Sequence, residues 1–181
     1  MINTIDIISK YYSPRSKAYE LLVVHSQQVA GKAVKIATKL TGHDLDAGFV
    51  EEAAMLHDIG IFLTDAPSLG CNGPHPYLKH GHLGCKLLEK EGLPKHALVC
   101  ERHVGVGITR KNILDNKLPL PAKNMLPLSL EEKIICYADK FFSKNGATPP
   151  QEKTLNQVIR ELKNYGIDQV DRFLVWHEQF S

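Results

Sequence analysis

Apolar side chains recur at helical spacing along most of this chain. In the longest such stretch, Ser13-Pro14 is a suitable helix start and Gly42 a suitable stop. Its apolar positions are Ala18, Leu21, Leu22, Val29, Ala33, Ile36, Ala37 and Leu40. Alternating β-branched segments joined by hairpin turns are absent, so the pattern predicts an all-α fold. His25 would then lie in the middle of a long helix.

Start and stop signals predict three further helices in the centre of the chain. Asp46 can cap a helix that ends at Gly60 and places His57-Asp58 in its last turn. Another helix is expected over 78–91. Pro94 can open the next one, which ends at the glycines of VGVG and carries a histidine near its end.

The C-terminal half shows the same punctuation. Ser129 and Glu132 have capping-box spacing before LEEKIICYADKFF, and two more helices are expected over 151–180 on either side of Gly166. The Pro- and Gly-rich stretch 66–77 is expected to be a loop. Together these signals predict a bundle of roughly seven helices, with the last two packed on the core.

Composition restricts the class of protein. The chain has 181 residues, 43% hydrophobic and 23% charged, which is typical of one globular domain spanning 1–181. A formal charge of +2 gives no field suited to nucleic acid or an anionic membrane. An anionic substrate must therefore be held by local groups. The sequence carries no signal for oligomeric state.

Cysteine usage and hydropathy indicate a compartment. Cys71, Cys85, Cys100 and Cys136 form no CxxC pair, and Asp6 interrupts the segment where a signal peptide needs an apolar run. No apolar run approaches the roughly 20 residues that span a bilayer. We therefore expect a soluble protein of the reducing cytoplasm.

Two His-Asp dipeptides compete as candidate functional residues. His43-Asp44 follows Gly42 in a polar connection, where turn and capping chemistry explains it. His57-Asp58 ends an apolar helix, where a buried carboxylate needs a metal or a salt partner. His57-Asp58 is therefore the better candidate.

Three segments together resemble the HD superfamily of metal-dependent phosphohydrolases. They are HSQQVA around His25, AAMLHDIG around His57 and Asp58, and KIICYADKFF around Asp139. The resemblance covers about residues 20–145. It implies an all-α HD-domain helical bundle in which these four residues converge on a metal ion.

Two further segments, LKHGHLG and CERHVGVG, resemble the extra histidine segments of HD proteins with two metals. The resemblance implies His80 and His103 as ligands of a second ion, with Asp58 bridging the two. The chain is most similar to small uncharacterised bacterial and archaeal HD phosphohydrolases. It lacks the lysine that follows HDIG in HD-GYP enzymes, having Ile61 there, and it lacks their GYP segment, so a phosphodiesterase of that type is not expected.

The mixture of imidazole and carboxylate ligands favours Fe, Mn, Zn or Co over Ca or Mg. We expect hydrolysis of a phosphoester or phosphoanhydride of a small nucleotide by a metal-bound hydroxide. Asp58 would bridge the ions and accept the proton, and Arg102 or Lys140 would orient the phosphate, with Arg110 a weaker candidate. The alternatives are a mononuclear nucleotidase, a diiron oxygenase and a degenerate signalling module.

The remaining histidines have simpler interpretations. His82 lies two residues after His80, so only one of the pair can face a site on a helix, and the HxxxG spacing favours His80. His75 is a candidate rim residue of the loop. His96 and His177 are interpreted as structural or surface residues. Asp139 could instead pair with Lys140 or Lys144, but its apolar flanks favour a buried ligand.

The choice between the two dipeptides can be tested directly. His57→Ala should abolish hydrolysis and lower the metal content measured on the purified protein, because an indispensable ligand is lost. His43→Ala serves as the matched control and should retain both. Loss of metal in the His43 variant would show that the wrong pair had been chosen.

Overall fold

The computed structural model describes residues 2–40, 42–144 and 151–181, and it confirms the all-α class. Within these residues nine α-helices are present. They are α1 (Thr4–Tyr11), α2 (Lys17–Lys39), α3 (Ala47–Leu56), α4 (His80–Lys90), α5 (Pro94–Arg102), α6 (Arg110–Asp115), α7 (Leu130–Asp139), α8 (Leu155–Lys163) and α9 (Ile167–Phe180). None of the helices described is both long and apolar enough to cross a membrane.

The helix number exceeds seven because sequence periodicity did not detect α1 and α6. These helices have eight and six residues, too few turns for a clear periodic signal. The start of α2 also differs from the prediction. Ser16, not Ser13, caps it by accepting a hydrogen bond from the backbone N–H of Tyr19 at 3.2 Å. Arg15, with φ of 69°, separates the two candidate caps.

Three very short strands correct the expectation of a plain loop over 66–77. They are β1 (Thr64–Ala66), β2 (Cys71–Asn72) and β3 (His75–Pro76), arranged in the order β2-β1-β3. β1 pairs antiparallel with β2 and parallel with β3. This sheet connects the segment after His57-Asp58 to the start of α4.

The core sits between α2, α3 and α7, with α4 and α5 packed beside them. Its fully buried apolar residues include Val29, Leu56, Ile134 and Ile135. His25 on α2 and Asp139 on α7 are buried on the same helices as these apolar residues. The packing that buries the apolar side chains therefore also brings the candidate ligands together. α1 joins this core through Tyr12, whose hydroxyl donates to the carbonyl of Ile59 at 2.9 Å.

Glycines allow the HDIG segment to approach α4 closely. A Cβ on Gly60 would lie 2.2 Å from the carbonyl oxygen of His80 and 2.5 Å from the backbone nitrogen of Gly84. A Cβ on Gly84 would lie 2.4 Å from Cys100 Sγ. Only backbone without side chains permits this contact, and the contact sets how far His57 and Asp58 lie from His80.

Substitution of Gly60 tests this constraint. Gly60→Ala should lower the free energy of unfolding, measured in urea, by about 1–3 kcal/mol or more, since the added methyl group overpacks a backbone contact. Gly31→Ala is the control, because Gly31 lies in α2 with no atom within 4 Å of its added Cβ. That variant should be neutral or more stable by about 1 kcal/mol. Equal stability of both variants would show that the Gly60 contact is not tight.

Candidate metal centre

Four of the predicted ligands meet at one point of the core. His25 lies within α2, His57 and Asp58 directly follow α3, and Asp139 is the last residue of α7. His25 Nε2 lies 3.0 Å from Asp139 Oδ1 and 3.3 Å from Asp58 Oδ2. His57 Nε2 lies 3.1 Å from Asp58 Oδ2 and 3.5 Å from Asp139 Oδ1. The four side chains are buried.

A second group shares Asp58 with the first. His80 begins α4 and His103 directly follows α5. Their Nε2 atoms each lie 3.3 Å from Asp58 Oδ1 and 3.1 Å from one another. The two oxygens of one carboxylate thus face two different sets of nitrogens.

Local helical geometry fixes the orientation of three imidazole rings. The Nδ1–H groups of His57, His80 and His103 donate to the carbonyls of residues three positions earlier, at 2.6, 2.7 and 2.7 Å. A proton on Nδ1 leaves Nε2 with its lone pair directed into the site. This is the arrangement in which histidine ligates metals, with the other nitrogen bound to a backbone carbonyl.

The donor atoms fit a divalent transition metal. Among the described residues, His57 Nε2 and Asp58 Oδ1 are buried without a hydrogen-bond partner of acceptable geometry, and Asp58 Oδ2 is compensated by an ammonium group at 2.7 Å. Such groups are costly to bury unless a cation satisfies them. Ligands about 2.1 Å from one ion, at tetrahedral to octahedral angles, lie about 3.0–3.4 Å apart. The observed separations of 3.0–3.5 Å agree with this spacing.

Electrostatics favour the ionisation states that ligation requires at Asp58, His80 and His103, but not at His57. Burial would raise the pKa of Asp58, but His57 and Lys144 outweigh it and hold the pKa well below its usual value. Burial lowers the pKa of His80 to about 3 and also lowers that of His103, so both rings are neutral at pH 7. His57 differs: burial lowers its pKa, but neighbouring Asp58 raises it to about 9. Metal binding at His57 must therefore release a proton.

Two lysines border the acidic side of the site. Lys140 Nζ lies 2.7 Å from Asp139 Oδ2 and donates to the carbonyl of His103 at 3.2 Å. Lys144 Nζ lies 2.7 Å from Asp58 Oδ2 and 3.9 Å from Asp139 Oδ1. The sequence indicated Lys144 only as a salt partner of Asp139. Because α7 ends at Asp139, helical spacing does not relate Lys144 to Lys140, and only the folded structure brings Lys144 to the site.

The structure gives Arg102 a different partner from the one expected. Its guanidinium binds both carboxylate oxygens of Glu132 at 3.0 Å, and Glu132 also accepts from the backbone N–H of Leu128 at 2.8 Å. The expected capping box is thus incomplete, because Glu132 turns away from Ser129. Both bonds come from Nη1, and Arg102 does not line the cavity described below. The phosphate-binding role expected of Arg102 stays a prediction.

The other histidines lie outside the two ligand groups. His82 binds Glu101 at 3.1 Å and His96 contacts Glu52 at 3.3 Å. His43 lies exposed in the connection between α2 and α3, and His75 lies in β3. Arg110 begins α6 and is exposed.

A cavity of about 600 Å³ opens onto the ligand groups. Its inner part is lined by Tyr77, His80, His103, Lys140 and Lys144. The ring of Tyr77 lies over that of His80, with 4.6 Å between centroids. The volume falls within the roughly 300–1,000 Å³ of small-molecule sites.

Comparison with known proteins agrees with this geometry. The HD-domain family profile matches residues 22–143, which include all six ligand candidates. The chain belongs to the HD-domain family. Its buried His and Asp groups are able to bind metal.

Two archaeal relatives extend the comparison. An uncharacterised protein of Methanocaldococcus jannaschii is 36% identical over 123 residues, covering 66% of this chain and 65% of the relative. A tRNA (cytidine(56)-2'-O)-methyltransferase of Thermoplasma volcanium is 28% identical over 179 residues, covering 98% of this chain and 45% of the relative. The chain thus spans only part of the length of these relatives.

Two solved structures share the fold. The HD domain of the L. monocytogenes phosphodiesterase PgpH in complex with cyclic-di-AMP has a TM-score of 0.55 and 20% identity, covering 94% of this chain and 83% of that domain. A second structure of the same HD domain has a TM-score of 0.55 and 19% identity, covering 96% of this chain and 86% of that domain. At this identity the likeness establishes the helical fold.

Proposed function

We propose that this protein hydrolyses a phosphoester or phosphoanhydride bond of a small nucleotide at a site for two divalent transition metal ions. The observation that carries the proposal is the double use of Asp58. Oδ2 faces His25 and His57 while Oδ1 faces His80 and His103, all within 3.3 Å. A mononuclear site would leave His80 and His103, whose Nε2 atoms lie 3.1 Å apart, with no ion to coordinate.

In this assignment His25, His57 and Asp139 hold one ion, and His80 and His103 hold the other. The metals would supply a water that is acidic enough to act as a nucleophile near neutral pH and would neutralise phosphoryl charge. Asp58, between the two ligand sets, is the carboxylate positioned to take a proton from that side of the cavity. No side-chain nucleophile is required.

Lys140 and Lys144 are proposed to bind the substrate phosphate. Both ammonium groups line the cavity, and Asp58 and Asp139 keep the pKa of Lys144 above its usual value although burial lowers it. Lys144 now neutralises Asp58. Metal ions held by Asp58 would neutralise that carboxylate in its place, and Lys144 would then be available to pair with a phosphate. In this proposal Lys144 takes the phosphate-binding role that the sequence suggested for Arg102.

The nucleotide assignment is supported by the cavity and by likeness. PgpH, which shares the fold, binds cyclic-di-AMP. A cavity of about 600 Å³ has room for a nucleoside phosphate. The absence of a lysine at Ile61 and of a GYP segment still argues against an HD-GYP phosphodiesterase.

The second ion can be tested by metal analysis. Protein saturated with Mn²⁺ or Fe²⁺ and then desalted should carry two equivalents, and His80→Ala or His103→Ala should each lose about one of the two. The remaining ligands around His25 still hold the other ion, although shared ligation through Asp58 can make the loss cooperative.

His82→Ala is the matched control, since His82 binds Glu101 instead, and it should keep both equivalents. A wild-type protein that saturates with one equivalent would support the mononuclear nucleotidase. Two equivalents of iron without hydrolysis of any phosphoester would support the oxygenase.

The role of Lys144 predicts opposite effects on substrate and metal. Lys144→Met should raise KM for a nucleotide substrate about ten- to a hundredfold, because a charged hydrogen bond to phosphate is lost. Its metal affinity should be unchanged or higher, because the competing cation at Asp58 is removed. The control is Lys86→Met, an exposed lysine of α4 outside the cavity. A Lys144 variant that loses metal with unchanged KM would refute the phosphate role.

A further inference from the structure

The outer part of the cavity has a different chemistry from the inner part. The inner part carries imidazoles, a carboxylate and the two lysines. The rest of the cavity, called here the outer part, is lined by the apolar side chains of Leu118, Val158 and Leu162, by Tyr165, and by Lys153 and Glu161, which pair with each other at 2.6 Å. Binding and cleavage of the phosphate use only groups of the inner part, so the proposed function assigns no role to the outer part.

Tyr165 is unusual among the tyrosines of the chain. Its side chain is 73% exposed, whereas Tyr137 packs against Phe173 with 5.0 Å between ring centroids and Tyr12 is buried. Tyr165 has no aromatic partner in the described part of the chain. Single exposed apolar residues are common on protein surfaces. Tyr165, however, lines the same cavity as Leu118, Val158 and Leu162, so its ring can stack on a flat ligand bound there.

The backbone holds this ring in place. Tyr165 lies in the turn between α8 and α9, where its backbone N–H donates to the carbonyl of Leu162 at 2.9 Å and is followed by Gly166 with φ of 125°. The turn is formed by hydrogen bonds and a glycine conformation that other residues rarely adopt. The ring is therefore presented by a defined turn.

The same turn is tied to the metal centre. Buried Gln169, near the start of α9, accepts from the backbone N–H of Val106 at 2.7 Å and donates to the carbonyl of Gly107 at 2.9 Å. Arg172 donates to the carbonyl of Val106 at 2.6 Å. The segment 105–107 begins two residues after His103. These bonds join the start of α9, which follows Tyr165, to the segment that follows His103.

An amide in the outer part adds hydrogen-bonding capacity. Asn112 uses its Oδ1 to accept from the backbone N–H and the hydroxyl of Thr109, at 3.1 and 2.5 Å. This leaves the side-chain NH₂ of Asn112 as a donor on the cavity wall. A ring that stacks on Tyr165 and presents an acceptor at its edge would use both features.

We infer that Leu118, Val158, Leu162, Asn112 and Tyr165 form a nucleobase subsite that selects nucleoside phosphates over phosphate esters without a base. The inference rests on the proposed function for the position of the phosphate, which lies on Lys140 and Lys144. Stacking on an aromatic side chain suits every base because each has a π-face. The subsite therefore discriminates strongly between ligands with and without a base, and only weakly between different bases.

The test compares AMP with ribose 5-phosphate, which carries the same sugar phosphate but no base. Binding of each is measured by calorimetry on the metal-loaded full chain, together with hydrolysis. Tyr165→Ala should weaken AMP binding about tenfold, the usual size of base stacking on an aromatic residue, and should leave ribose 5-phosphate binding unchanged. Tyr165→Phe keeps the ring and should retain AMP binding.

Val175→Ala is the matched control, because Val175 is 63% exposed on α9 and does not line the cavity. It should change neither ligand. Equal affinity of the wild type for AMP and ribose 5-phosphate, or equal loss of both in Tyr165→Ala, would overturn the subsite. Absence of hydrolysis of every phosphoester would instead overturn the proposed function, while the binding difference between the two probes would still decide the subsite.

Discussion

The buried carboxylate of Asp58 is the constraint on which the rest of the structure depends. It has no exposed surface, and an ionised carboxylate removed from water is expensive unless positive charge surrounds it. Four imidazoles and the ammonium of Lys144 lie within 3.3 Å of its two oxygens. Segments from both halves of the chain supply these groups, so the charge balance of the site depends on how the helices pack.

The backbone contacts around the HDIG segment follow from that constraint. Gly60 lets the turn after Asp58 touch α4, and Gly84 lets α4 touch α5. These contacts bring His80 and His103 to the second oxygen of the carboxylate. With bulkier residues in their place the bundle would still bury its apolar faces, but the two ligand sets would no longer share Asp58.

Burial and charge compensation divide the basic side chains of the site into two kinds. Histidines held neutral by burial suit metal ligation, whereas the lysines stay charged because Asp58 and Asp139 compensate them. A negatively charged substrate that enters the cavity therefore meets fixed positive charge on its wall. In the outer part Lys153 and Glu161 compensate each other, so the proposed phosphate site and the proposed base site use different side chains of one cavity.

The sequence alone was sufficient for the all-α class and for the position of most helices, because apolar periodicity and capping residues such as Asp46 are local signals. It also indicated all six ligand candidates, since the resemblance to HD proteins rests on short segments around them. It missed α1 and α6, which are too short to show periodicity, and the short strands around Thr64, whose pairing joins segments that show no strand pattern.

Only the tertiary structure decided which charged groups face the site. Arg102 and Lys144 look equivalent in the sequence, each a basic residue near a candidate ligand, yet one binds Glu132 and the other Asp58. The division of Asp58 between two ligand sets and the meeting of Tyr165 with the cavity likewise depend on contacts between distant segments. Local sequence fixes a residue's helix and its position along it, but the partner of a long charged side chain is set by the packing of helices against each other.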